Sequence, residues 1–247
     1  AMSDVTPAER VMRINSNADL RRKLWAELPN NEHTQWIRSM LPRTFRLREP
    51  INYEPESKDS VTAFAQNAQR DPIDFTLELL LEKNGKAMLM NTYENYFDGN
   101  LDIVGTLLAD PGTICGIADA GAHVGFICDA GSATSMLTHW SRDRKRGPGL
   151  QLEYLVKKQT LDTARTYGLN DRGVIAPGYR ADFNLIDFDA LRVTSPELIY
   201  DLPAGGRRMV QRAEGYRHTF VAGTEVMANG EVTGALPGRL IRGEQSI

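Results

Sequence analysis

Two residues in this chain, Asp119 and His123, stand where a carboxylate and an imidazole could share chemistry. They lie within the stretch Ile114-Cys115-Gly116-Ile117-Ala118-Asp119-Ala120-Gly121-Ala122-His123-Val124. Residues 113–118 form an apolar run short enough for a strand buried on both faces. The small residues around Asp119 leave room for a ligand, and Gly121 lets the backbone turn beside it. A carboxylate at the C-terminal end of a buried strand, followed by a loop carrying a histidine, is where α/β enzymes place catalytic groups. The same residues have a plainer use. An aspartate after a strand commonly caps a helix or bonds its own backbone in a turn, and a lone histidine is commonly a structural residue.

Periodicity and turn chemistry set out the elements that must position this stretch. Residues 7–28 read as a helix capped by Thr6 with Pro7 at its first position, loosened near Asn15-Ser16-Asn17 and stopped at Pro29-Asn30-Asn31. Residues 33–37 are too short to type. Residues 44–48 alternate as a strand, and residues 87–91 form a second strand candidate. Between them, one helix begins at Ser60 and another runs from Asp71-Pro72 to an Asn84-Gly85 stop. Asn91, Tyr93, Asn95 and Tyr96 could line a pocket or pack under a loop. A helix over 100–108 and a turn at Asp110-Pro111-Gly112 lead into the central stretch. Strands alternating with helices in this way predict a parallel α/β arrangement.

Beyond His123, residues 135–140 look helical, and residues 151–167 give a clear helix with Leu152, Leu155, Val156, Leu161 and Ala164 on its apolar side. Gly168 closes it. The pattern then changes. Residues 181–187 alternate as a strand, two short strands flank a glycine turn at 219–228, and Asn229-Gly230 is a hairpin signal. A boundary near Gly168 gives two parts, 1–168 and 169–247, and so short a β tail needs partner strands from somewhere.

The 247 residues suffice for one large domain or two smaller ones. A net charge of −3 provides no basic field for a nucleic-acid backbone. The run Arg142-Asp143-Arg144-Lys145-Arg146 is interrupted by its own aspartate and reads as a solvated helix end. Two cysteines, Cys115 and Cys128, lack zinc-site spacing and make no disulfide framework, which fits a reducing, cytoplasmic setting. No apolar run approaches the ~20 residues that span a membrane, so no membrane partner is expected.

The order of these pieces resembles the C-terminal part of a metal-dependent amidohydrolase, closest to the N-acyl-D-amino-acid deacylases. Three groups of residues carry the likeness: Gly116-Ile117-Ala118-Asp119-Ala120-Gly121-Ala122-His123; the run from Thr160-Leu161-Asp162-Thr163-Ala164 through Asp171-Arg172-Gly173 to Pro177-Gly178-Tyr179-Arg180-Ala181-Asp182; and Asp201-Leu202-Pro203-Ala204-Gly205-Gly206 with residues 233–242. The resemblance implies the end of a (β/α)8 barrel, including its eighth strand, followed by part of a small β-sandwich domain. Residues 44–48 and 113–118 would be strands seven and eight, with residues 87–91 an extra element or the true seventh. It implies Asp119 as catalytic group and zinc ligand, His123 and Arg142 (or Arg144) as substrate-binding residues, and Zn²⁺ as cofactor. In such an enzyme the metal polarises the amide carbonyl and acidifies a water, and Asp119 relays the proton to the leaving amine.

The chain contains no His-x-His, and His33 is its only histidine before His123. A catalytic zinc takes about three protein ligands, so most of them are expected outside this chain. The expected partners are an N-acyl amino acid and the missing N-terminal part or an oligomer partner. The competing expectations are a catalytically inactive fragment or interaction module, and one chain of a two-chain amidohydrolase.

Overall fold

The computed structural model describes residues 5–26, 32–116, 118, 121, 124–125 and 129–245. The expected stop at Pro29-Asn30-Asn31 lies outside the described residues. The chain divides into two compact units, residues 1–101 and 102–247.

The first unit begins with helix α1 (Pro7–Ser16). The Thr6 hydroxyl accepts from the Glu9 N–H at 3.2 Å while the Glu9 carboxylate accepts from the Thr6 N–H at 3.0 Å, a reciprocal cap. The helix expected over 7–28 is two. Asn17 takes extended backbone geometry and its Oδ1 accepts from the Leu20 N–H at 2.8 Å, starting α2 (Ala18–Ala26). A short polar side chain that bonds the backbone locally competes with helix continuation, and here it wins. Helix α3 (Glu32–Met40) covers the segment that was too short to type. Strand β1 (Thr44–Arg46) follows, then α4 (Val61–Asn67) and α5 (Pro72–Gly85). Ser60 caps α4 and Asp71 caps α5 through side-chain oxygens. The α5 stop begins before Asn84-Gly85: Glu82 leaves helical geometry, and Lys83, Asn84 and Gly85 all have positive φ.

Strand β2 (Leu89–Asn91) pairs with β1 antiparallel, with Phe45 opposite Met90. This corrects the parallel arrangement expected from the alternation of strands and helices. Two helices rather than one lie between the strands, and the second reversal of direction brings the chain back antiparallel. The Asn91 amide locks the pair by donating to the Met40 and Arg43 carbonyls and to the Thr44 hydroxyl. Leu41, Phe45, Val61, Ala65, Leu79 and Tyr96 form the buried centre of this unit.

The second unit opens with α6 (Asp102–Ala109) and α7 (Ser132–Thr138), the latter running into a π-helical turn at His139–Asp143. The helix expected over 151–167 is α8 (Leu152–Lys157), a π-helical turn at Lys158–Asp162, and α9 (Thr163–Thr166). Gly168 ends it at φ +69, as expected. Leu137, Trp140, Leu155 and Ala164 are the buried apolar residues of these helices.

The tail contains β3 (Phe183–Ile186), β4 (Arg192–Val193), β5 (Glu197–Leu202), β6 (Gly206–Val210), β7 (Ala213–Glu214), β8 (Tyr216–Val221), β9 (Thr224–Ala228) and β10 (Glu231–Val232). One sheet has the order β10-β9-β8-β3, all antiparallel; β4 pairs with β7, and β5 with β6. The expected strand and hairpin are therefore joined by strands of the tail itself. Leu191, fully buried, is the tail's anchor. Gly215 lets the chain pass against it: at φ +100, an added Cβ would sit 2.6 Å from the Leu191 Cα. Among the described residues, no helix is long and apolar enough to cross a membrane.

Gly215→Ala is expected to destabilise the protein by more than about 1 kcal/mol, since strain at positive φ adds to a backbone clash. Gly230→Ala, at φ +86 with open space around it, is expected to cost less; denaturant midpoints compare the two. Acid weakens the fold in a defined window. Hydrogen bonds from Arg172, Arg217 and Arg208 hold Asp171, Asp187 and Asp201, respectively, below the usual aspartate value. Their stabilising contribution is complete above the unfolded value of about 3.9 and is lost as pH falls through the lower folded values. Urea midpoints should hold steady from neutral pH to about pH 5 and then fall.

Candidate functional site

Asp119 and His123 lie outside the described residues, as does Cys128. The structure describes the frame on either side of them. On the entry side, α6 ends in a turn where Asp110 Oδ1 accepts from the Gly112 N–H at 2.7 Å. The Lys158 ammonium, reaching in from the π-helical turn, donates to the Asp110 carbonyl at 2.8 Å and the Thr113 carbonyl at 2.7 Å. Tyr154 adds a hydrogen bond from its hydroxyl to the Leu108 carbonyl at 2.9 Å. Two residues past Thr113, the Cys115 Sγ rests 3.3 Å from the Met136 Sδ on α7. Burial pushes the Cys115 thiol up, and the nearby Lys158 charge pulls in the opposite direction.

On the exit side, the Met209 N–H of β6 donates to the Val124 carbonyl at 2.7 Å. The Asp129 carbonyl accepts from the Ser132 N–H at 3.0 Å, leading the chain into α7. Gly131 lies so close to β4 that an added Cβ would meet Val193 at 2.6 Å. The segment carrying Asp119 and His123 is thus held at Thr113, Cys115 and Val124 by three different elements.

The strand expected at 113–118 needs correction. Among its described residues, 113–116 and 118, none joins a β ladder, Gly116 is exposed and the others are half-buried. A strand buried on both faces needs ladder partners for its backbone, whereas here the Thr113 carbonyl takes a side-chain ammonium instead.

Arg142 is engaged along its whole guanidinium. Its Nε and one terminal nitrogen grip the Asp143 carboxylate, and its terminal nitrogens also donate to the Phe188, Asp189 and Leu191 carbonyls. The fork lies over the Phe188 ring at 5.2 Å. Arg142 therefore braces the π-helical turn against the loop before β4, and binding a substrate carboxylate would require these bonds to open. Arg144, with its side chain 1% exposed, bonds Asp102 at 2.6 Å and the Pro148 carbonyl at 2.8 Å and stacks on Trp140 at 4.5 Å.

The other candidates are dispersed. His139 stands edge-on to Trp140 with ring centres 5.3 Å apart, the helix packing expected of it. His218 pairs with Glu225 across the β8–β9 hairpin. In the first unit Asn91 serves the strand pair, Tyr96 is buried with its hydroxyl on the Pro55 carbonyl, and Tyr93 is exposed. Among the described residues, no group of three or more His, Cys, Asp or Glu could hold a metal ion. The residue that sequence reasoning passed over is Lys158. Its signal was available: it falls three residues after Leu155 and three before Leu161, a lysine on an apolar face.

The Amidohydrolase family matches residues 62–227, well over half of the chain. An adenine deaminase of Sinorhizobium fredii (strain NBRC 101917 / NGR234) is 36% identical over 61 residues, which cover 25% of this chain and 10% of that protein. A D-aminoacylase structure described as defining a novel subset of amidohydrolases is 22% identical, with a TM-score of 0.41 over 79% of this chain and 37% of the other. A second, reported for the role of its binuclear metal centre, is 24% identical, with a TM-score of 0.42 over 80% of this chain and 37% of the other. The chain thus spans about a tenth of the curated relative and little over a third of these structures. With the matched span enclosing the whole framed segment around Asp119, the chain belongs to the Amidohydrolase family.

Proposed function

We propose that this chain contributes the Asp119 segment to an amidohydrolase that cleaves the amide bond of N-acyl-D-amino acids. The observation that carries the reading is the family match over 62–227, within which a carboxylate follows an apolar run and is flanked by small residues. The deacylase-like runs around Asp201 and at 233–242 favour this substrate class over other amides. In this reading residues 1–168 belong to the barrel, with residues 113–118 entering as its eighth strand, and residues 169–247 belong to the small β-domain.

Asp119 is ionised at neutral pH, with an ordinary aspartate value of about 3.9, and so begins as the base. It takes a proton from the attacking water as the new C–O bond forms at the carbonyl carbon. It then delivers that proton to the amide nitrogen as the C–N bond breaks, leaving a carboxylic acid and a free amine. His123, four residues on, helps bind substrate or orient Asp119. The family implies a metal, and Zn²⁺ suits a site of His and carboxylate donors. The described residues do not form such a set. Asp119 is one candidate ligand, and the others would come from polypeptide outside this chain. The outer strands β3 and β10, with Leu185 and Val232 exposed, favour association with that polypeptide. A reducing, cytoplasmic setting suits its free thiols.

In the assembly that hydrolyses N-acetyl-D-amino acids, Asp119→Asn should lower kcat by about 10²–10⁴-fold with Tm unchanged. Unchanged hydrolysis would end the assignment. The isolated chain should contain substoichiometric zinc and show no turnover; one equivalent of zinc with turnover would place the ligands within this chain. Arg142→Ala should lower stability by about 1–3 kcal/mol through lost charge-assisted bonds. Its KM in the active assembly separates bracing, which leaves KM unchanged, from carboxylate recognition, which raises it.

A further inference from the structure

We propose that Lys158 is the positioning residue for Asp119, its buried ammonium fixing the start of the segment that ends in that carboxylate. The inference rests on Asp119 being the catalytic group. Lys158 is 2% exposed and is the largest of the fully buried side chains. Lysine almost never reaches such burial unless its ammonium is paired or hydrogen-bonded. Among the described residues its partners are the Asp110 and Thr113 carbonyls, with the Tyr154 ring centre 5.7 Å away.

Those two carbonyls sit at distinct places. Asp110 immediately follows the last residue of α6, where a positive charge also complements the helix dipole. Thr113 lies beyond the turn, at the start of the run toward Asp119. One ammonium holding both fixes the angle at which the chain leaves α6. The backbone of Lys158 is fixed in turn, since its carbonyl accepts from the Thr163 hydroxyl at 2.8 Å. Asp119 lies between the anchors at Cys115 and Val124, so slack introduced at Thr113 reaches it through Cys115. A shift of about 1 Å in a catalytic group can cost about 10²-fold in rate.

Cys115 reports on this directly. In the full chain carrying Cys128→Ser, Cys115 is the one thiol. Its rate of modification by a disulfide reagent is followed against pH; the limiting rate at high pH measures access to the sulfur independently of ionisation. Lys158→Met, similar in length but without a donor, should raise that limiting rate about tenfold or more. Lys158→Arg, which keeps a charged donor, should return it toward the parent value. Lys158→Gln, which keeps an uncharged donor, replaces Lys158→Met if the latter does not fold. A limiting rate within about twofold of the parent, together with a lowered Tm, is the behaviour of a helix cap alone and overturns the proposal. In the hydrolysing assembly, Lys158→Gln should lower kcat with KM unchanged; raised KM with unchanged kcat overturns it as well. The thiol measurement involves no hydrolysis, so its outcome is separate from that of Asp119→Asn.

Discussion

A charged ammonium enclosed by protein must satisfy its donors at once, and in the second unit that requirement falls on Lys158. Its stem belongs to the apolar face of the helix that includes Leu155, while its head takes two main-chain carbonyls that lie beyond α6. Leaving those donors empty inside the protein would be more costly than leaving an apolar gap, because the group carries charge. Helix, turn and the run toward Asp119 are therefore fixed together. The sulfur contact at Cys115 and the bond from Met209 to Val124 extend the same frame along the segment.

Local chemistry was legible wherever one residue decides the outcome. Thr6, Ser60 and Asp71 act as caps because each presents a short oxygen to exposed backbone N–H groups, and Gly168 ends its helix because it tolerates positive φ. Asn229-Gly230 turns the chain between β9 and β10 for the same kind of reason. Asp119 stood out by residue type and place. The frame around its segment did not, because Thr113, Lys158, Met136 and Met209 are brought together by tertiary packing, and their spacing in sequence carries no period.

Direction of pairing was equally hidden. A strand followed by helices reads as a parallel unit, but periodicity alone does not say how many times the chain reverses between β1 and β2. The β5–β6 hairpin was missed although Pro203-Ala204-Gly205 marks its turn; Ala204 adopts φ +58, a conformation for which alanine gives no sequence signal. Its strands also face solvent on much of their surface, so the alternation that identifies a half-buried strand is weak.

The π-helical turn at Lys158–Asp162 has a consequence for how this chain tolerates changes in length. Such a turn accommodates one residue more than α geometry does over the same rise. Losing a single residue there would let α8 and α9 merge into one regular helix, rotating all that follows by about 100° relative to what precedes it. Ala164 would leave the buried face, and Lys158 would lose the widened turn that aims it at the two carbonyls. At this point the register of the chain, rather than the identity of any one side chain, carries the information.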